Sequence, residues 1–594
     1  MGHHTDSILA VTFTTKAAKE LRERAALYIG EAADNIMTGT FHSICLRLLR
    51  MFAHHTGVYT NRFNVLDPDD CEDILEDILK RITGYSDSNK LSAFKNQISL
   101  LKNRLITPDQ FDGYADANLE TDYTSHLNTI MLADVYREYT DLLRRQNSMD
   151  FDDLILNMIS VLNVQDVRNY CHNRFKFCMI DESQDTNAAQ FKLIEELAGA
   201  NNIFMVGDCD QSIFQWRGAK FENMFRFLEK YPDSEIIKLL QNYRSTTTIV
   251  EASNIVIMNN RNRFEKTCFT LNKKGEKIHT YSASGAYEEA QFVADEIQRL
   301  VSAGYEYKDI AVLFRINALG SEFEKELVSR RIPVSVIRGT GFYKRTEIKD
   351  ITAILKATHN LDDPASMTRY LNVMPNIGSV TVQQLTELAD RHNVSLINAA
   401  NLYLGRNKNA LQHAVNIIAK LSKHTYLRAD KFVSLAVRET GYLAKYQSLN
   451  SGANAERIDN IKQFISNAAE YSKENPNETI TGLLDCVALL TGDDKTDNGN
   501  TVKLQTVHSS KGLEYKAVFV TGLEENTFPY YNRDRLNAEV HLEEERRLFY
   551  VAVTRAQERL YLTCARKRLI SGVSRNLKES QFIKEIPGAL LQSI

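Results

Sequence analysis

Short apolar runs separated by long amphipathic stretches set the pattern of this chain. Residues 8–13, 177–180, 203–206, 310–314 and 517–521 are each rich in β-forming side chains, and polar or glycine punctuation follows most of them. Helical periodicity fills the intervals. Such alternation predicts an α/β protein built on mostly parallel sheets. In sheets of that kind, chemistry gathers just beyond the carboxyl ends of the strands. Two stretches break the rhythm. Residues 69–149 and 347–494 show helical periodicity almost throughout and few strand signals, so both read as helical inserts. Residues 493–500, Asp-Asp-Lys-Thr-Asp-Asn-Gly-Asn, have the composition of a linker. No internal repeat or low-complexity tract is visible.

At 594 residues the chain is too long for one core, because single cores stop growing at about 250–300 residues. Its 43% hydrophobic and 25% charged residues are ordinary for a globular protein. A net charge of −4 argues against a blanket nucleic-acid binder, while leaving room for a basic groove. The eight cysteines form no C-x-x-C pair, which gives no sign of a zinc or iron–sulfur site. With no signal peptide, they read as free thiols in a cytoplasmic protein. No apolar run reaches the roughly 18 residues that a membrane span needs, so no membrane partner is expected.

The most informative junction is the apolar run 177–180, which leads directly into Asp181-Glu182-Ser183-Gln184-Asp185-Thr186. Two adjacent acids at a strand end have a mechanical use. One carboxylate can hold Mg²⁺ on nucleotide phosphates while the next orients or deprotonates an attacking water. Two acids alone are more often a solvated turn, but the longer string is distinctive. It resembles the acidic box of superfamily 1 helicases of the UvrD/Rep/PcrA type. Val206-Gly207-Asp208-Cys209-Asp210-Gln211-Ser212-Ile213-Phe214-Gln215-Trp216-Arg217-Gly218-Ala219 resembles that family's coupling motif. Gln241-Asn242-Tyr243-Arg244-Ser245-Thr246 resembles the next box. Val507-His508-Ser509-Ser510-Lys511-Gly512-Leu513-Glu514 and Glu544-Glu545-Arg546-Arg547-Leu548-Phe549-Tyr550-Val551-Ala552-Val553-Thr554-Arg555-Ala556 resemble the last two. Thr12-Phe13-Thr14-Thr15-Lys16 and Gly39-Thr40-Phe41-His42-Ser43 resemble the two early DNA-contact boxes.

The resemblance implies two RecA-like parallel-sheet motor lobes, each with a largely helical insert. The expected boundaries are 1–68 with 150–240 for the first lobe and 69–149 for its insert. The second lobe is expected at 241–346 with 500–594, and its insert at 347–499. ATP and Mg²⁺ are the implied cofactors. Asp181 would hold the metal, Glu182 would activate water, and Gln211 would sense the γ-phosphate. Arg244 and Arg555 would be arginine fingers, suited by a planar fork that stays charged. Tyr243 would stack on adenine and Glu514 would bind the ribose. Single-stranded DNA and single/double-strand junctions are the implied partners, with 3′→5′ translocation in repair, replication or recombination. Phe13, Phe41, His42, Phe214, Trp216, Arg217 and His508 are the DNA-contact candidates, through base stacking and a basic track. A lone Phe in a strand is as often core, which weighs against Phe13 and Phe41. The acids at Asp150, Asp152 and Asp153 read as structural. Asn372-Val373-Met374-Pro375-Asn376-Ile377-Gly378 resembles a turn that touches duplex backbone, though an ordinary helix connection has the same composition.

One part of the family pattern is missing from these residues. A motor of this class needs G-x-x-x-x-G-K-[ST], whose backbone N–H groups cradle the phosphates, and the 594 residues contain no such string. In the family that loop lies just before the strand expected here at residues 7–13. Its strand belongs inside the sheet, so its neighbours are expected to lose a ladder partner and to show an open apolar face. Three explanations follow: a chain truncated at its N-terminus, completion by a second polypeptide, or an ATP-independent single-strand DNA-binding module.

Overall fold

The computed structural model describes residues 4–84, 88–111, 123–199, 202–215, 218–336, 345–392, 394–447, 452–490, 499–531, 538–570 and 573–594. Contacts divide the chain into two compact units. The first comprises residues 1–181, 187–206 and 340–494; the second comprises 182–186, 207–339 and 495–594.

The first unit is organised on a four-stranded parallel sheet. Its strands are β1 (Ile8–Thr12), β2 (Met37–Thr40), β3 (Phe177–Ile180) and β4 (Asn202–Met205), in spatial order β2-β1-β3-β4. Leu9 pairs with Met37 and Cys178, and Cys178 with Ile203, which puts these side chains in one row on one face. That face is buried against α2 (Phe41–Phe52), α6 (Phe151–Val161) and α7 (Ala188–Ala198), through Ile44, Leu48, Leu154, Met158, Leu193 and Leu197. The other face carries α1 (Thr15–Ile29), started by Thr14, whose hydroxyl accepts from Ala17 N–H at 3.1 Å. Gly30 ends it at φ +61°, a conformation that favours glycine.

The first helical stretch contains α3 (Pro68–Thr83), α4 (Ser88–Asn103) and α5 (Tyr123–Arg145), with a core of their own around Leu75, Ile78, Ile98, Val135 and Leu143. Asp67 caps α3 in a reciprocal box with Asp70, and a proline opens the helix. A buried polar knot ties this insert to α6. Lys102 Nζ lies 2.6 Å from Asp150 and 2.7 Å from Asp153. Tyr139 donates to Asp150 at 3.0 Å, and Ser99 donates to Asp152 at 2.6 Å. Asn103 joins Asp152 at 3.2 Å and accepts from Asn187, the cap of α7, at 2.5 Å. Burial and the neighbouring Asp150 charge push Asp152 up to about 6 and Asp153 up to about 7.

The second helical stretch runs from helix Thr346–His359 to helix Ile480–Leu490 and packs around Ile351, Leu385, Ile418, Phe432 and Phe464. It is clasped to the rest of the first unit by ion pairs and side-chain amide hydrogen bonds. Lys356 meets Asp70 at 3.0 Å, Arg50 meets Asp485 at 2.7 Å, Lys349 pairs with Asp69, and Asn64 donates to Asp363 at 2.6 Å. The start of this insert at 341–344 and the linker at 493–498 lie outside the described residues.

The second unit holds a seven-stranded parallel sheet. Its strands are β5 (Ile278–Ala283), β6 (Ile310–Phe314), β7 (Val334–Val336), β8 (Val502–Thr506), β9 (Tyr515–Val520), β10 (Ala556–Ala565) and β11 (Leu591–Ser593). They lie in the order β11-β5-β10-β9-β6-β8-β7. Both faces are covered, as parallel sheets require. Ala311, Leu313, Val518 and Leu562 face helices Thr247–Ile257 and Ala538–Val553, whereas Ile310, Val312, Phe519 and Leu504 face helices Ala286–Ser302 and Gly320–Ser329. Continuous apolar strands with helices on both sides are why the short runs were legible as strands. Arg568 is buried with Glu289 and Glu524 at the end of β10 and pairs with both.

Candidate active site

The acidic box begins where β3 ends. Asp181 N–H donates to Val11 O at 2.9 Å, which seats it at the carboxyl edge of the first sheet. Glu182 adopts φ +52°, the left-handed region that a side chain rarely occupies. The bend turns the chain into a 3₁₀ turn at Ser183–Asp185. Gln184 fixes the result: its Nε2 donates to Glu182 Oε2 at 2.5 Å, and its Oε1 accepts from Asp208 N–H at 2.9 Å. Gly207 is required here, because a Cβ on it would meet Ser183 Oγ at 2.4 Å and Gln184 Oε1 at 2.6 Å. The acidic box and the coupling motif are thus pinned together by one glutamine and one glycine.

Lys511 faces this loop within the second unit. It pairs with the buried Asp185, donates to Gln211 O at 2.8 Å, and lies 3.5 Å from Glu182. Burial pushes Asp185 up to about 6, with Lys511 pulling the other way. The same ammonium sits over the Phe214 ring at 5.5 Å, and Phe214 in turn lies 6.3 Å from His508. Lys511 and Asp185 received no role from sequence reasoning. Both stand inside recognisable boxes, but nothing in either box names the other as its partner.

Gln211 is the junction of the site. Its Nε2 donates to Asp208 at 2.8 Å and its Oε1 accepts from Arg555 Nη2 at 3.2 Å. Burial works to raise Asp208, but Lys266 beside it holds the carboxyl below the usual range. Asp210 is engaged by Arg263 at 2.7 Å. Asp208, Cys209 and Asp210 therefore cluster as a metal site would, yet their carboxylates are committed to side-chain cations. Arg555 is fully buried and held by Val551 O at 3.0 Å and Leu513 O at 3.1 Å. Burial, then the nearby Arg244, lower its pKa to about 10, which still leaves it charged at neutral pH.

Arg244 extends from a tight turn in which Asn242 Oδ1 accepts from the N–H groups of Arg244 and Ser245 at 2.9 and 2.8 Å. Its guanidinium contacts Glu514 at 2.5 Å and Thr554 O at 3.1 Å. Gln557 also donates to Glu514, at 2.9 Å. The structure thus pairs two residues that the resemblance assigned to separate parts of a nucleotide. Tyr243 is 78% exposed.

The remaining sequence candidates separate clearly. Phe13 and His42 are half-buried, and His42 meets Phe151 edge-on at 5.5 Å. Phe41 is buried in the core of the first unit. Trp216 and Arg217 lie outside the described residues. In the turn at 372–378, Asn376 takes φ +62°. Among the described residues, no helix is long and apolar enough to cross a membrane.

Comparison with known proteins bears on the family of the chain. The profile of the UvrD/REP helicase N-terminal domain matches residues 1–232, and that of the UvrD-like helicase C-terminal domain matches residues 237–567. The chain is 37% identical over 599 residues to a Staphylococcus aureus (strain MRSA252) protein named ATP-dependent DNA helicase PcrA, covering 99% of this chain and 80% of that protein. A Staphylococcus epidermidis protein of the same name is 37% identical over 598 residues, covering 99% and 81%. By both domain profiles and by these relatives, the chain belongs to the UvrD-like helicase family.

Proposed function

We propose that the chain forms the motor of an ATP-dependent DNA helicase that moves 3′→5′ along single-stranded DNA and opens single/double-strand junctions in cytoplasmic DNA repair or replication. One observation supports this above the others. Gln211 bridges Asp208 of the coupling motif to Arg555, and Lys511 joins the same motif to the acidic box. A network of that kind lets a change at a γ-phosphate reach the boxes that resemble DNA contacts.

The donor set suits a hard divalent ion. Asp181 presents a half-exposed carboxylate at a strand end, the oxygen chemistry Mg²⁺ prefers. Asp181 is the residue that would hold it, and a bound Mg²⁺ would neutralise charge on the triphosphate. Glu182, held by Gln184, takes a proton from the attacking water. Gln211 orients on the γ-phosphate, and Arg555 and Arg244 contribute guanidinium charge where negative charge develops. Tyr243 stacks on the base, and Glu514 exchanges its pairing with Arg244 for a sugar hydroxyl. The aromatic faces of Phe214 and His508, with Trp216, Arg217, Phe13 and His42, bind single-stranded DNA. The absence of G-x-x-x-x-G-K-[ST] from the 594 residues favours a second reading, an ATP-independent single-strand binder or one part of a split helicase. In the first reading the phosphate loop is supplied by further polypeptide.

Strand displacement on duplexes bearing a 3′ or a 5′ single-stranded tail tests the proposal, using the chain joined to a phosphate-loop segment. Displacement is expected from the 3′-tailed substrate, with ATP only. Displacement of the 5′-tailed substrate alone would reverse the polarity. Salt-sensitive DNA binding that ignores ATP, with no displacement of either, would establish the binding module instead.

A further inference from the structure

Two carboxylates of the coupling motif, Asp208 and Asp210, take their cations from a segment 53 to 58 residues further along the chain. Asp208 caps the 3₁₀ turn Cys209–Gln211 by accepting from Asp210 N–H at 3.0 Å, and Asp210 is fully buried within that turn. Charges so placed are costly unless they are paired and hydrogen-bonded. Arg263 meets Asp210 with two parallel bonds, Nε to Oδ1 at 2.9 Å and Nη2 to Oδ2 at 2.7 Å. Lys266 pairs with Asp208 and lies 3.4 Å from Asp210. Phe264 N–H donates to Cys209 Sγ at 3.3 Å, and its ring stacks on Phe225 at 4.3 Å. Residues 263–266 thus grip three successive residues of the motif. Sequence reasoning gave Arg263 and Lys266 no role.

The same segment is fastened to helix Ala538–Val553, which ends just before Arg555. Asn260 donates to Glu543 O at 2.9 Å and accepts from Arg546 at 2.7 Å. Arg261 N–H donates to Glu543 at 2.8 Å, and Arg547 donates to Asn262 O at 3.2 Å. Residues 260–266 therefore brace the turn that carries Gln211 against the helix that leads to Arg555, all within the second unit. Gln211 itself lies between a group that only accepts and a group that only donates. Asp208, as a carboxylate, requires the amide nitrogen, and Arg555 requires the amide oxygen. The bonds at 2.8 and 3.2 Å satisfy both. A neutral Asp208 donates as well as accepts, and two senses of the amide are then open. The charge on Asp208 decides which way Gln211 faces.

We propose that Lys266 is a positioning residue of the motor: held in the brace of residues 260–266, its ammonium keeps Asp208 an obligate acceptor and so fixes Gln211 with Oε1 toward Arg555. The part that Gln211 plays at the γ-phosphate rests on the functional reading above, whereas the brace rests on the contacts alone. Burial works against the Asp208 charge and Lys266 offsets it. The other ionisable groups that face Asp208 are Asp210, Cys209, Cys268 and Tyr550. Asp210 has Arg263 as its own partner. Burial pushes Cys209 up to about 11, raises Cys268 and lifts Tyr550 well above its usual range, so none of the three changes charge near neutral pH. Without Lys266, burial dominates at Asp208, and its carboxyl takes up a proton as the pH falls through the neutral range.

Lys266→Met, Lys266→Arg and Asp208→Asn test this with two readouts. In protein carrying a phosphate loop, the rate of ATP hydrolysis by each variant is divided by that of the parent at the same pH. The Lys266→Met ratio is expected to fall about tenfold or more between about pH 8 and about pH 6, and the Lys266→Arg ratio to stay within about twofold of one. Asp208→Asn is expected to be about tenfold or more slower than the parent at both. In the 594-residue chain, the emission of Trp216, the one tryptophan and five residues beyond Gln211, is titrated without nucleotide. Lys266→Met is expected to show a transition over the same range that the parent and Lys266→Arg lack, and Asp208→Asn to hold the low-pH emission throughout. A lysine that only stabilised the fold would lower the melting temperature and leave the rate ratio independent of pH. A Lys266→Met ratio that does not change with pH would overturn the proposal, as would an Asp208→Asn protein as fast as its parent, the arm that decides if Lys266→Met does not fold. A parent that hydrolyses no ATP refutes the motor reading instead. The emission then decides the brace, and an Asp208→Asn chain with the emission of its parent sinks it.

Discussion

Arg555→Ala is expected to lower DNA-stimulated ATP hydrolysis by about 10³–10⁵-fold in protein carrying a phosphate loop. Arg555 is the largest fully buried side chain among the described residues. Burial of a charge on this scale is costly unless it is paired and hydrogen-bonded. Here its partners are four oxygens, from Gln211, Val551, Leu513 and Thr554, none of them charged. A guanidinium desolvated without a carboxylate partner retains its full field for an anionic ligand. The lowered pKa, about 10, is the mark of that cost. Arg555→Lys should recover little of the rate, because an ammonium lacks the planar fork that reaches these separate acceptors. Steady-state hydrolysis with saturating single-stranded DNA reads this directly, with thermal melting to show that each variant is folded. A rate within tenfold of the parent for Arg555→Ala would remove this residue from the catalytic set.

The largest effect on stability is expected at Lys102, in the buried polar knot of the first unit. Lys102→Met should destabilise the first unit by about 3–5 kcal/mol, the usual result of removing one partner from a buried ion cluster. Lys102 is 1% exposed and faces Asp150 and Asp153, with Asp152 beside them. The sign of the pH dependence follows from the raised acids. Asp152 and Asp153 titrate near 6 and 7 in the fold, against about 4 in an unfolded chain. The folded state therefore holds protons that the unfolded state has released. Their contribution to stability falls as pH rises from about 4 through 7. Without Lys102 these acids are harder to ionise, so the loss in Lys102→Met should be larger at pH 8 than at pH 5. Denaturant melts of both proteins at the two pH values check it. A loss below about 1 kcal/mol at pH 8 would mean that the knot is solvated rather than buried.

Much of the scaffold was legible because buried parallel strands are continuous apolar runs. Residues 177–180 and 310–314 match β3 and β6, and the run at 8–13 differs from β1 by one residue. The exposed side of β4 was not visible as such, since Phe204 and Val206 read as core by composition alone. Ile236, Ile237 and Leu239 have strand-like composition too, yet they are exposed and join no ladder among the described residues. In the site, box order brought Glu182, Gln211, Arg244, Glu514 and Arg555 to notice. Partnerships across long separations were out of reach. Lys511 and Asp185 are 326 residues apart, and Lys102 and Asp150 are 48 apart, and charge patterning holds no record of such pairs. Phe41 shows the converse difficulty: a residue in a DNA-contact box whose ring is buried in the core.

The account stands most directly on one measurement, DNA-stimulated ATP hydrolysis by the chain joined ahead of residue 1 to a phosphate-loop segment, with and without Glu182→Gln. Hydrolysis by the joined parent and a loss of about 10²–10⁴-fold in Glu182→Gln are predicted, the range for removing a general base. An inert joined parent, or a Glu182→Gln protein as fast as its parent, would contradict it.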